Sequence, residues 1–232
     1  YCNFFLIKSV KNFDEFIHTC PSFTDWLYRY APSKKSILTP LGYDKSRFEN
    51  FFISEPRIFS GVINFVYIGL LQKQMDIFSF ISTISNNCSF SLTIYGDDGE
   101  GENYKLTKNY IKDNKIENVY LKGKILQNKV PKILSSFDVG LMPMNAKYAF
   151  PNKVFDYIAL SLPIFSIGNH DTSTFVTENN IGWSCDFDES DINQKIQQTL
   201  NKENYNSYAL NILNIRATYS REQLFKIIQT KL

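Results

Sequence analysis

Pro151, Asn152, Lys153 and Asp156, inside the run from Pro143 to Gly168, combine residue types that hold an anion with one that holds a diol. Proline suits the first helical position, since its missing N–H would have had no intrahelical partner. The sequence therefore predicts a helix from Pro151 with the amides of Asn152, Lys153 and Val154 pointing outward. Those amides, the positive end of the helix dipole and the Lys153 charge suit a phosphate. Asp156, within the same helix, offers a carboxylate that can accept hydrogen bonds from the vicinal hydroxyls of a ribose. Phosphate plus ribose is a nucleotide. The same residues are also ordinary helix-capping chemistry, so the surrounding elements have to decide between the two readings.

From Asn64 onward, short apolar runs alternate with segments of helical period, the pattern of a parallel sheet covered by helices on both faces. Strands are expected at Phe65–Ile68, Ser91–Tyr95, Val119–Leu121, Val139–Met142 and Pro163–Ile167. Helices are expected at Asp76–Ser85, Glu102–Asn114, Lys129–Ser136, Pro151–Leu160 and Thr172–Asn179. Five such units make an α/β, doubly wound, Rossmann-like domain. The first three strands end in Gly69, Gly96-Asp97-Asp98-Gly99 and Gly123, at the carboxyl edge where such sheets admit a ligand to the backbone. Before Asn64, a helix over Phe23–Tyr30 and a strand over Ser36–Thr39 read as the last β-α-β of another domain, leading into Pro40-Leu41-Gly42-Tyr43-Asp44. After Gly182, the helical runs Asp191–Leu200, Tyr205–Thr218 and Arg221–Leu232 end the chain.

In 232 residues, 44% of them hydrophobic, there is material for a packed core. Lys+Arg 25 against Asp+Glu 23 gives a formal charge of +2, which excludes the strong basic field of a nucleic-acid binder, so any anion site has to be local. Cys2, Cys20, Cys88 and Cys185 lack metal-type spacing and make no disulfide framework, which points to a reducing cytoplasm. No apolar run reaches the roughly eighteen residues of a membrane span. The chain begins at Tyr1 and enters at once upon Phe4-Phe5-Leu6-Ile7, as a protein lacking its front portion would.

The order of motifs resembles the carboxyl-terminal, donor-binding half of GT-B glycosyltransferases of the large retaining group 1, or family four, class. The resemblance covers about residues 16–230. It runs through Val66-Tyr67-Ile68-Gly69-Leu70-Leu71 with Lys73 and Asp76, Leu92-Thr93-Ile94-Tyr95-Gly96-Asp97 and Val119-Tyr120-Leu121-Lys122-Gly123. It continues through Phe137-Asp138-Val139-Gly140-Leu141-Met142-Pro143, Pro151-Asn152-Lys153-Val154-Phe155-Asp156-Tyr157, Leu162-Pro163-Ile164 and Asn180-Ile181-Gly182. It implies that residues 1–44 are the tail of an amino-terminal acceptor domain plus the connector, where relatives carry Pro-Asn-Gly-x-Asp. Residues 45–232 are then the nucleotide-sugar donor domain with its carboxyl-terminal helices. The final helices of relatives often cross back onto that acceptor domain, so some apolar surface should be left uncovered.

Roles follow from the resemblance position by position. The donor diphosphate would meet Gly69, Lys73, Asn152 and Lys153, with Lys73 at the family's basic position. Asp156 stands for the glutamate that binds the ribose, and Tyr148 replaces the first glutamate of the same motif. Gly123, Lys124 and Ile125 form the turn that reads the base, mainly through main chain. Tyr148, Phe150, Pro151 and His170 would lie near the donor sugar, although a solvent-exposed loop histidine is the plainer reading of His170. The family's catalytic groups belong to the other domain, so the catalytic residues are unknown and His18 inherits no role.

The reaction that the resemblance implies is transfer of a sugar from a nucleotide diphosphate with retention, to a glycan or lipid-linked acceptor, without metal or cofactor. Asp97-Asp98 reads as a loop or cap feature. A bacterial surface-polysaccharide role in the cytoplasm, at most peripheral to the membrane, fits such an enzyme, and the domain alone would transfer little. A nucleotide-sugar-binding module that has lost transfer is the second reading. An epimerase or phosphorylase of the same fold is the third, and no Gly-x-Gly-x-x-Gly supports a dehydrogenase.

Overall fold

The computed structural model describes residues 12–56, 61–96, 101–147 and 150–231. Tyr148 and Asp97-Asp98 lie outside them. The chain opens with a parallel pair, β1 (Glu15–His18) and β2 (Lys35–Leu38), joined across α1 (Ser22–Tyr30). This is the β-α-β expected from the sequence. Leu27 and Ala31 of α1 and its carboxyl end form its small core with Phe16 and Trp26, while Phe13, Ile17 and Tyr28 stay exposed. The chain then enters the short α2 (Lys45–Phe48), whose first turn is capped by Asp44 accepting from the Ser46 N–H and hydroxyl.

The main domain alternates β3 (Ile63–Ile68), α3 (Phe78–Ile84), β4 (Phe90–Tyr95), α4 (Glu102–Asp113), β5 (Val119–Gly123) and α5 (Val130–Leu134). It continues with β6 (Val139–Pro143), α6 (Asn152–Ala159), β7 (Ile164–Ile167), α7 (Asp171–Glu178) and β8 (Gly182–Cys185). The six strands are parallel in the order β5-β4-β3-β6-β7-β8. The chain reverses direction across the sheet between β3 and β6. Buried side chains divide by strand parity: Phe65 and Tyr67 pack with Phe80, Leu92 and Phe165 on one face, and Val66 packs with Met142, Val154 and Tyr157 on the other. Strands this apolar on both sides belong in the middle layer of three. Helices α8 (Glu189–Thr199), α9 (Lys202–Arg216) and α10 (Arg221–Lys231) complete the chain.

Three expectations shift. The sheet gains a sixth strand at Gly182–Cys185, because Gly182 lies so close to β7 that a Cβ on it would stand 1.9 Å from the Ile164 carbonyl oxygen. Helix α3 starts at Phe78 rather than Asp76, whose carboxylate instead accepts from the Phe78 N–H. Helix α6 starts at Asn152, and Pro151 is its N-cap in extended conformation, not its first helical residue.

Candidate functional site

The candidate site lies where β3 and β6 part. They pair only at Phe65 with Val139 and Val66 with Gly140, and beyond those residues their carboxyl ends diverge. Tyr157 of α6 reaches into the split. Its hydroxyl accepts from the Ile68 N–H at 3.4 Å and stands 3.3 Å from the Val66 carbonyl and 3.2 Å from that of Leu141, the acceptors for its own proton. Gly140 makes room for that ring, since a Cβ there would sit 2.4 Å from a ring carbon. A doubly wound sheet opens its crevice at such a reversal of strand order, outside the carboxyl ends of the strands.

Three glycines form the floor beside that opening. Gly69 donates to the Tyr95 carbonyl and Gly96 to that of Gly123, and all three have positive φ, at 137°, 120° and 67°. A Cβ on Gly96 would come within 2.8 Å of the Gly69 backbone, so side chains are excluded from the point where the turns meet. Bare backbone at a sheet's carboxyl edge is what a ligand with several oxygens can approach.

The lysine that reaches this floor is Lys153. Its Nζ lies 3.9 Å from the centre of the Tyr67 ring and 2.7 Å from where a Gly69 Cβ would be. Tyr67 is buried and its hydroxyl donates to the Leu70 carbonyl, tying the ring to the loop after β3. Although Lys153 as a residue keeps some exposed surface, its ammonium is desolvated, and burial pulls its pKa down to about 7. Among the described residues no carboxylate pairs with it. The amides of Asn152 and Lys153 open α6, where no intrahelical acceptor exists. The Val154 amide, expected to be free, donates to the Pro151 carbonyl at 3.1 Å.

Asp156 sits one turn further along, half-buried, with no hydrogen bond to its carboxylate among the described residues. Burial pushes its pKa up to about 6, against the opposing pull of the Arg47 and Arg221 charges. Arg47 also donates to the Gln127 carbonyl at 2.8 Å, fastening α2 to the loop that follows Gly123, Lys124 and Ile125. In that turn Lys124 is exposed and Ile125 leans on the core.

Not every expected residue joins the group. Lys73 is exposed and borders a separate cavity of about 220 Å³ with Asp76 and Asn145. Asn152 faces a cavity of about 490 Å³ beside Thr39, Leu41 and Arg221, toward the connector and not toward Gly69. Phe150 is core, its ring edge-on to Phe155 and Phe175.

His170 is 2% exposed, which corrects the expectation of a solvent-exposed loop histidine. It caps α7 through Nδ1, which accepts from the Ser173 N–H, while Nε2 lies 3.2 Å from the Ile167 carbonyl. Desolvation lowers its pKa, in keeping with a neutral cap.

No protein-family model and no curated protein matches the chain. Solved structures do. Sucrose-phosphate synthase from Thermosynechococcus elongatus superposes with a TM-score of 0.79 at 15% identity, over 97% of this chain and 59% of that one. HepE of Anabaena, solved in complex with UDP, gives 0.79 at 10% identity, over 97% and 65%. WaaG, a glycosyltransferase of lipopolysaccharide biosynthesis, gives 0.70 at 13%, over 91% and 60%. The chain has the GT-B glycosyltransferase fold, in its carboxyl-terminal half. It spans about two thirds or less of the length of each of these three neighbours.

The segment before α2 is zipped to the residues that lead into α10. Tyr43 donates to the Tyr219 carbonyl at 3.0 Å and accepts from the Arg221 N–H at 2.9 Å. Gly42, at φ 63°, lies where a Cβ would stand 2.6 Å from Leu224 and 2.8 Å from the Tyr219 carbonyl. Two residues that matter to the crevice, Tyr67 and Tyr157, carry no signal of their own in the sequence beyond their place in the two runs that hold Gly69 and Lys153. Among the described residues no group of three metal-ligating side chains comes together, and no helix is long and apolar enough to cross a membrane.

Proposed function

We propose that this chain is the donor domain of a glycosyltransferase and binds a nucleoside diphosphate sugar at the opening between β3 and β6. The observation that carries the reading is the Lys153 ammonium, desolvated and without a carboxylate partner, held over Tyr67 beside the bare Gly69–Gly96 backbone. A buried cation without a counter-charge is costly unless something anionic arrives. A diphosphate supplies that charge, and the two free amides of α6 supply donors to it. Asp156, unpartnered one turn on, is placed to accept from ribose hydroxyls, and the Gly123–Ile125 turn offers main chain to a base. The UDP bound by HepE accords with this ligand class.

Chemically, the hard step in such a transfer is departure of the nucleoside diphosphate with charge growing on its phosphate oxygens. Donors fixed before the reaction stabilise that charge without reorganising. Lys153 and the Asn152 and Lys153 amides are those donors in our reading, with Lys73 free on its exposed loop to approach from outside. Retention at the sugar, a glycan or lipid-linked acceptor, and an amino-terminal acceptor domain that completes the active site, with residues 1–44 as its tail and connector, belong to the same proposal.

Titration calorimetry with UDP, GDP and ADP tests it. Binding of at least one is expected, with Asp156→Ala weakening it by about 1–3 kcal/mol, the range for a lost hydrogen bond to a charged group. Absence of heat with all three nucleotides overturns the proposal. Unchanged affinity in the variant removes Asp156 from the site.

A further inference from the structure

On the far side of the molecule from β8, helix α4 overhangs the open edge of the sheet. Lys105, Lys108 and Lys112 fall within a 60° arc of the helix at its standard 100° per residue, all exposed. With Ile111 and the inward side chains Val119 and Leu121 of β5 they line a cavity of about 840 Å³. Among the described residues no carboxylate lines it. Among the described residues none of the three lysines has an ion-pair partner, and Glu102 and Asp113 of the same helix lie to one side.

Strand β5 is terminal in the sheet. Leu92 stands opposite Val119 and donates to the Asn118 carbonyl, so in a parallel ladder, up to the register shift at Ile94/Tyr95, the groups turned to β4 are those of Asn118 and Tyr120. The main-chain N–H and C=O of Val119 and Leu121 therefore face outward, beneath the lysines. An apolar floor, an open strand edge and a cationic rim occur in one groove. A strand laid along β5 would present a side chain toward α4 at every second residue, about 6.7 Å apart. The lysines repeat along the helix at about 4.5 and 6 Å, within reach of that spacing by flexible side chains.

We infer that the α4–β5 groove docks an extended acidic segment of a partner polypeptide, added as a seventh strand with carboxylates at alternate positions facing Lys105, Lys108 and Lys112. Strand addition supplies affinity through main-chain bonds, and the lysines supply the choice of sequence. The concave, apolar-floored shape favours such a chain over a membrane surface, which would meet lysines on a convex face.

The test titrates a dye-labelled octapeptide of alternating Asp and Val into the whole chain and follows amide exchange on the complex. Saturable binding is expected, weakened about tenfold or more both by K105E/K108E/K112E and by raising salt from about 0.1 to about 1 M. Slowed exchange at Val119 and Leu121 is expected with it. The salt arm keeps the test valid if the triple variant fails to fold, which circular dichroism reports. Three results overturn the inference: no peptide binding, binding without protection at Val119 and Leu121, or affinity indifferent to both salt and charge reversal. Vesicles of phosphatidylglycerol and a sulfated oligosaccharide are run alongside, and retention on either of them without peptide binding also overturns it.

Discussion

Lys153 and Asp156 share one turn of α6 and are held in opposite kinds of discomfort. The Lys153 pKa is about 7 in the folded chain against an ordinary 10.5, so between those values the unfolded state binds more protons. Its contribution to stability is present above 10.5 and is lost as pH falls through 7. The Asp156 pKa is about 6 against an ordinary 3.8, so its contribution is present below 3.8 and is lost as pH rises through 6. Lys153→Met should therefore raise the melting temperature of the nucleotide-free protein most at pH 7 and below, with the gain fading toward pH 10.5. Asp156→Asn should raise it most above pH 6, with the gain gone below pH 4. Both should weaken nucleotide binding, the usual exchange of stability for function at a strained site. Melting curves across pH, paired with calorimetry, check this, and a gain that does not vary with pH would refute it.

At the scale of elements, the opening depends on how α6 seats against β6. Gly140→Ala would push a methyl into the Tyr157 ring, an overpacking that costs about 1–3 kcal/mol. Tyr157→Phe leaves the ring in place and removes the hydroxyl that joins Ile68, Val66 and Leu141, at a cost of about 1–3 kcal/mol for buried backbone groups left unpaired. Denaturant unfolding should rank both below the parent, with Tyr157→Phe also weakening nucleotide binding because the ends of β3 and β6 lose their spacer. Equal stability of Tyr157→Phe and the parent would mean that the hydroxyl is idle.

The same elements mark what was legible in the chain. Doubly buried strands such as Phe65–Ile68 and Val139–Met142 announce themselves as apolar runs bounded by turn residues, and they emerge with only their ends moved. Gly182–Cys185 is four residues of mixed polarity whose strand character comes from contact with β7, which no local pattern carries. The residues of α6 proposed to hold an anion were readable as a helix start. That Lys153 and not Lys73 meets Gly69, and that His170 is spent on capping α7, depends on the rotation of helices against the sheet. Periodicity sets which face of a helix is apolar, and it does not set where a half-buried lysine comes to rest.

On the scale of the whole molecule, a buried carboxylate ties the β1-α1-β2 segment to the six-stranded part. Asp171, 6% exposed at the start of α7, accepts from both the N–H and the hydroxyl of Ser22 at the start of α1, at 3.1 and 2.6 Å, while its other oxygen has no partner among the described residues. Other polar ties among the described residues are the Lys35 ammonium to the Lys231 carbonyl, Arg221 Nε to the Leu41 carbonyl, and Tyr43 paired with Tyr219 and Arg221. Since Asp171 anchors the β1-α1-β2 unit while the crevice is built entirely from the six-stranded domain, the two properties should separate. Asp171→Ala removes the one oxygen that accepts both Ser22 bonds and should raise amide exchange across α1 and speed proteolysis within residues 12–44. Affinity for a nucleoside diphosphate should stay within about twofold of the parent, the change expected for sites that share no partners. A joint loss of affinity and of protection in α1 would instead mean that the first unit shapes the opening between β3 and β6 even without contacting it.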